Sequence, residues 1–199
     1  FKRDFKALAE IRHPNLAQLL DCDLTEKDEP AIVTEPVTGV PLSAFLQHGQ
    51  PSVAETERLL LGLLDGLAVC HQEGLVHRDL SPSTVWVQQA ADGLRAVVRD
   101  FGLTRLVAGA QAALTLNGEI YGSPRFMAPE QWVGERAEAS TDVYAVGLLG
   151  YCLLLGDHFV PAGDPIAARD AHLGAIRPGL IVSAAGEPIP ARLAECIAR

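Results

Sequence analysis

The stretch VHRDLSPSTVWV at residues 76–87 sets Asp79 beside Arg78 and His77. Further acidic residues follow in short motifs: Asp100 in DFG with Phe101 and Gly102, Glu130 in APE, and Asp142 in STDVYAVG. A carboxylate can orient or accept a proton, and it is the hard oxygen ligand that Mg2+ prefers. Arginine grips phosphate through two parallel hydrogen bonds. Those residue types suit phosphoryl transfer, which needs a positioned hydroxyl, an in-line phosphate and cations to absorb developing charge. Each triplet alone is weak, because an acidic chain contains such triplets by chance. Their order and contexts carry the weight. HRD follows a long helical pattern and a short apolar run, and DFG follows a strand pattern. APE closes a long loop, and Asp142 opens an apolar helix.

The elements that must hold these residues can be read from periodicity. Phe1, Phe5, Leu8 and Ile11 share one face of a helix over residues 1–12, which Pro14 ends. LAQLLDCDL and AIVTEPV read as two strands joined by the charged turn TEKDEP. PLSAFLQHG suits a short helix. Residues 52–74 form a long one, with Ser52 as N-cap, Glu55 three residues on and Gly74 as its stop. LVH, TVWVQQ and LRAVVRDFG read as small strands around loops. Residues 104–122 are poorly periodic, at a length where a loop is functional or mobile. An apolar helix is expected over residues 141–155, and the Pro- and Gly-rich remainder reads as loops and short helices.

At 199 residues, 48% hydrophobic and 21% charged, the chain can bury the core of one domain, or of most of a slightly larger one. A net charge of −9 argues against nucleic acid or an acidic membrane surface as partner. The most apolar run, residues 143–156, is shorter than the roughly 20 residues that span a bilayer. Cys22, Cys70, Cys152 and Cys196 form no CxxC pair, so a zinc site is not expected. Their even count allows two disulfides, but their apolar settings favour buried, reduced thiols in a cytoplasmic domain. The chain opens on Phe1 without a signal-peptide pattern and stops inside a helical pattern, so both ends read as cut.

With these motifs in this order, the chain resembles a eukaryotic-type Ser/Thr protein kinase domain of the kind also found in bacteria. The resemblance runs from a C-helix at residues 1–12 through HPNL, the hinge VTEPVTGVPL, the catalytic loop, DFGL and YGSPRFMAPEQ to the C-terminus. It implies an α+β fold: a partial N-lobe at residues 1–36, with the C-helix and two strands, and a mainly helical C-lobe at residues 37–199 that lacks its final helix. It implies ATP and Mg2+ as cofactors and a protein Ser/Thr acceptor as partner, with no nucleic acid and no membrane in this segment. By the same resemblance Asp79 is the base and Asp100 the Mg2+ ligand. Arg78 implies control by a phosphate on the mobile loop, with Thr115 the first candidate and Thr104 the second. Ser123 would favour a Ser/Thr acceptor. The Glu35 carbonyl and the Val37 amide would face the adenine edge, with Thr34 as gatekeeper. Leu8, Leu19, His77 and Phe101 match the apolar column that links the lobes. Asp142 would hold the catalytic-loop backbone, and Glu130 would pair with an arginine beyond Arg199.

The chain departs from the family pattern at four places. Ser81 replaces a lysine that touches the transferred phosphate, and serine cannot supply its charge. Thr84 replaces the asparagine that ligates a second Mg2+, and it is a shorter, poorer ligand. Trp86 stands where a smaller aliphatic residue lies under the adenine, so it either narrows the pocket or packs sideways. Asp4 takes the place of the C-helix glutamate, whose lysine partner and the glycine-rich loop would precede Phe1. Two main readings follow: a Ser/Thr protein kinase, or a pseudokinase that serves as a binding or scaffolding module. A small-molecule kinase of related fold is disfavoured by GSPRFMAPEQ, which shapes a peptide-binding loop.

Overall fold

The computed structural model describes residues 7–24, 30–101, 123–160, 164–174 and 182–198. Residues 7–10 are helical, and the remainder of the helix expected over 1–12 includes Phe1 and Phe5, which lie outside the described residues. Strands β1 (Leu19–Leu24) and β2 (Pro30–Thr34) pair antiparallel, with Leu19 opposite Thr34 and Cys22 opposite Ile32. A second, antiparallel sheet has the order β3 (Val40–Pro41), β4 (Val85–Ala90), β5 (Gly93–Val98). Six helices complete the described residues: α1 (Leu42–Phe45), α2 (Val53–Gln72), α3 (Pro129–Trp132), α4 (Ala139–Leu155), α5 (Pro165–Leu173) and α6 (Ala191–Ala198).

Helix α2 starts where its capping chemistry requires. Ser52 Oγ accepts from Glu55 N at 3.2 Å, and the Glu55 carboxylate accepts from Ser52 N at 2.9 Å. Two otherwise unpaired helix-end donors are thereby satisfied. Leu59, Leu63, Leu67 and Cys70 then recur on its inward face, all fully buried. Helix α4 is apolar almost all round and lies in the centre of the core, against α2. Val85 and Val87 of β4 point into that same core, while Trp86 and Gln88, one step out of phase, occupy the other face of the strand.

The segment before β1 is wedged against α2 and β5. Asn15 Nδ2 donates to Ala96 O at 2.7 Å, Val98 N donates to Asn15 O, and Ala17 N donates to Val98 O, each at 2.8 Å. Two helical glycines make room for it. A Cβ at Gly62 would lie 2.5 Å from Asn15 Nδ2, and one at Gly66 would lie 3.2 Å from Asn15 Cβ. Helix propensity alone disfavours both glycines, so close approach is their reason for being there.

Four expectations need correction. LVH is not a strand: residues 75–80 have no regular structure, because the His77 and Arg78 N–H groups bond a side chain, Asp142, and not a neighbouring strand. The apolar helix begins at Ala139 rather than Thr141. Thr141 Oγ1 accepts from Glu138 N at 3.1 Å, which moves the helix start forward and puts Asp142 inside the first turn. PLSAFLQHG divides into α1 and a 3-10 turn at Leu46–His48. Cys196 is exposed, since α6 turns Leu193 and Ile197 inward and presents Cys196 outward; Cys70 and Cys152 are buried and free.

Candidate active site

The loop carrying Asp79 is held at its backbone. Arg78 has a left-handed φ of 72°, a conformation that costs a non-glycine residue about 1–2 kcal/mol. It persists because both sides of the residue are clamped. Asp142, 1% exposed, accepts from His77 N through Oδ2 and from Arg78 N through Oδ1, both at 2.9 Å. Its Oδ2 also accepts from His71 Nε2 at 2.7 Å. A buried carboxylate is tolerated only with such a full set of donors, and the N-terminal end of α4 adds a favourable dipole. From the other side, Gln131 Nε2 donates to Arg78 O and Gln131 Oε1 accepts from Ala128 N, each at 2.9 Å.

His77 links this loop to the DFG segment. Its Nδ1 lies 3.2 Å from Asp79 N, which can only donate, so the ring proton sits on Nε2 and goes to Arg99 O at 2.8 Å. The ring meets Phe101 edge-on, with centroids 4.9 Å apart. Asp100 is also left-handed, at φ 58°. Ser81 and Thr84 are buried and serve the loop itself. Thr84 Oγ1 accepts from Ser81 N at 3.0 Å and shares its proton between Asp79 O at 3.1 Å and Ser81 O at 3.2 Å. Ser81 Oγ is hydrogen-bonded to Ser83 Oγ at 2.8 Å.

Asp79 Oδ1 accepts from Ser123 N at 3.2 Å. This contact uses the backbone, which any residue but proline could supply, so it accounts for the position and not for the choice of serine. Burial pushes the Asp79 carboxyl above the usual range; the Ser123 N–H opposes that shift and the nearby Asp100 adds to it. Glu130 Oε1 accepts from Thr141 Oγ1 at 2.5 Å, so α4 holds the APE carboxylate.

Periodicity gave no sign of a relay beneath the Ser123–Pro124 turn. His172 of α5 donates through Nε2 to Pro124 O at 2.9 Å and accepts at Nδ1 from Tyr144 OH at 2.8 Å. Trp132 stacks on its ring. Burial lowers the His172 pKa, against the pull of the Pro124 carbonyl. Burial, with Glu130 adding, pushes Tyr144 up to about 12.

Leu8, Leu19, Thr34, Asp100 and Phe101 surround a cavity of about 20 Å³, room for one water at most. Leu8, Leu19 and Phe101 thus stand together, and His77 joins them through Phe101. Glu35 N donates to Gln18 O at 2.9 Å, and no partner among the described residues answers the Val37 N–H. Glu35, Pro36 and Val37 face Gln88 and Val97 across a cavity of about 260 Å³. Trp86 is half-buried, and the Arg99 guanidinium lies over its ring, 4.8 Å from the centroid. Asp4, Gly102, Thr104 and Thr115 lie outside the described residues.

A family model, the protein kinase domain, matches residues 1–176. The chain belongs to the protein kinase family. This kinase domain is 34% identical over 157 residues to serine/threonine-protein kinase pkn2 of Myxococcus xanthus, covering 78% of the chain and 19% of that protein. It is 31% identical over 176 residues to serine/threonine-protein kinase PkaA of Streptomyces coelicolor, covering 88% and 32%. To the probable serine/threonine-protein kinase PknB of Lactococcus lactis it is 29% identical over 182 residues, covering 91% and 28%. The kinase domain therefore spans a third or less of each of these relatives. Among the described residues no helix is long and apolar enough to cross a membrane.

Proposed function

We propose that this domain transfers the γ-phosphate of ATP to a Ser or Thr hydroxyl of a protein, with Asp79 as the base. The observation that carries this reading is the pair Asp79 and Asp100, each adjoining or adopting a left-handed turn, tied together by the His77–Arg99 hydrogen bond. Such strain persists where the surroundings enforce it, and it clusters at active sites. Asp79, half-buried and oriented by Ser123 N, suits proton acceptance from a substrate hydroxyl.

The residues fit Mg2+. No hydrogen bond or ion pair among the described residues occupies the Asp100 carboxylate, and Mg2+ is commonly held by one or two carboxylates together with substrate phosphates. When bound, Mg2+ supplies positive charge against the phosphates. Thr84 keeps one lone pair beyond its loop bonds, so this reading gives the metal to Asp100 and a lesser share to Thr84. The Glu35 carbonyl and the unanswered Val37 N–H would take the adenine edge, beside Thr34 and Trp86. Arg78 would answer a phosphate on the segment that holds Thr115. The division at residues 1–36 and 37–199 belongs to the same proposal.

The test uses the full-length protein, Mg-ATP and a basic protein substrate. Asp79→Asn should cut transfer about 10²- to 10⁴-fold while nucleotide still binds. No nucleotide binding at millimolar Mg-ATP overturns the reading. The pseudokinase reading has one specific support: the hydroxyls of both Ser81 and Thr84 are engaged inside the loop. It predicts a protein whose partner binding ignores Asp79→Asn.

A further inference from the structure

We propose that Arg99 closes the base platform of the nucleotide cleft, so that a nucleotide binds only by displacing its guanidinium from Trp86. The inference rests on the kinase reading above. Trp86 lies opposite Val97 in the β4–β5 register, so the two share a face of the sheet. Gln88 follows Trp86 by two residues and Arg99 follows Val97 by two, which puts all four on that face. Gln88 and Val97 look across a cavity at Glu35, Pro36 and Val37, so this face is the one turned to the hinge. Arg99 also immediately precedes Asp100. The stack therefore shares the hinge-facing side of the sheet and adjoins Asp100 in sequence.

Its backbone is fixed and its side chain is not. Arg99 N donates to Thr84 O, and Arg99 O accepts from His77, both at 2.8 Å. The guanidinium, by contrast, sits at cation–π distance over the indole, while Arg99 Nε is buried with no acceptor among the described residues. A buried N–H without a partner is a penalty that a displaced side chain sheds. A purine base gains by stacking on an indole, through the same π electrons that attract the guanidinium. One face of the ring cannot hold both partners. Ring and cation thus compete, and the closed arrangement weakens nucleotide binding.

The experiment measures Mg-ATP affinity by isothermal titration for the full-length wild type, Arg99→Ala and Arg99→Gln, with melting temperature as the folding check. Arg99→Ala should bind about 3- to 30-fold more tightly, the range set by losing one cation–π contact. Arg99→Gln, which removes the cation and leaves Trp86 as the base platform, should also bind more tightly. If Arg99→Ala fails to fold, Arg99→Gln decides alone. Unchanged or weaker binding by the folded variants, with a wild type that binds, overturns closure and leaves the kinase reading intact. No binding by any of the three overturns both.

Discussion

An ionised Asp79 is disfavoured by its own burial, which holds its carboxyl above the usual range. The folded protein therefore binds that proton more tightly than the unfolded chain does. The stability this confers is fully present below the ordinary aspartate value and is lost as pH rises through the folded value. At neutral pH the charge works against folding. Asp79→Asn should then melt above wild type at neutral pH and lose that advantage in strong acid, while transfer falls about 10²- to 10⁴-fold. Scanning fluorimetry across pH checks the first part; a variant that melts at or below wild type at neutral pH contradicts it. The buried Asp142 carboxylate accepts three hydrogen bonds. Asp142→Ala strands three donors and should cost about 3–5 kcal/mol, measured by urea unfolding, with Asp142→Asn less severe. Asp79, Asp100 and Asp142 were legible in the sequence because each sits in a short motif. Gln131 and His172 were not, because their partners Arg78 and Pro124 are remote in sequence and no spacing announces the contact.

Elements were legible where local physics decides them. The capping box of α2 and its leucine face are properties of neighbouring residues, and the helix lies where they put it. The failures are places where a distant group sets the local structure. LVH at residues 75–77 looks like a strand until Asp142 takes the His77 and Arg78 N–H groups, and β3 exists only because β4 is there to pair with it. Gly62 and Gly66 read as weak points in a helix, yet they are the slot for Asn15. Gly62→Ala should push the Asn15 amide from Ala96 O and cost about 1–3 kcal/mol for the lost buried hydrogen bond, less up to about 1 kcal/mol regained in helix propensity. A melting temperature unchanged or raised by Gly62→Ala would count against the slot. Ser52→Ala, which removes the N-cap, should cost about 1 kcal/mol in the same measurement.

Across the molecule, stability should depend on acid through His172, which is buried, and His158, which is half-buried. Burial lowers the pKa of His172, and likewise that of His158, where Arg125 adds to the effect. As pH falls below about 6.5 the unfolded chain takes up protons first. The stability held by the neutral rings is present above that value and is lost as pH falls through the folded values. With Asp79→Asn removing the opposing carboxyl contribution, melting temperature should therefore drop on mild acidification, and His172→Gln in that background should flatten the drop while lowering the neutral-pH value. The slope is read by calorimetry; an identical slope in the variant removes His172 from the account. The α+β class and the kinase membership were legible because motif order survives without coordinates. What packs α5 under Pro124, or β5 against Asn15, was not, since it depends on pairs that meet only in the folded chain.

The clamp on residues 77 and 78 has one more consequence. Loop amides ordinarily exchange their hydrogens through small local openings. The amides of His77 and Arg78 cannot, because releasing either one uncovers a carboxylate seated in the first turn of the central helix. Their exchange should wait for unfolding of α4 itself. In a deuterium time course these two irregular residues should keep their protons as long as the interior of α4 does, making the loop around them one of the last of the described segments to give them up.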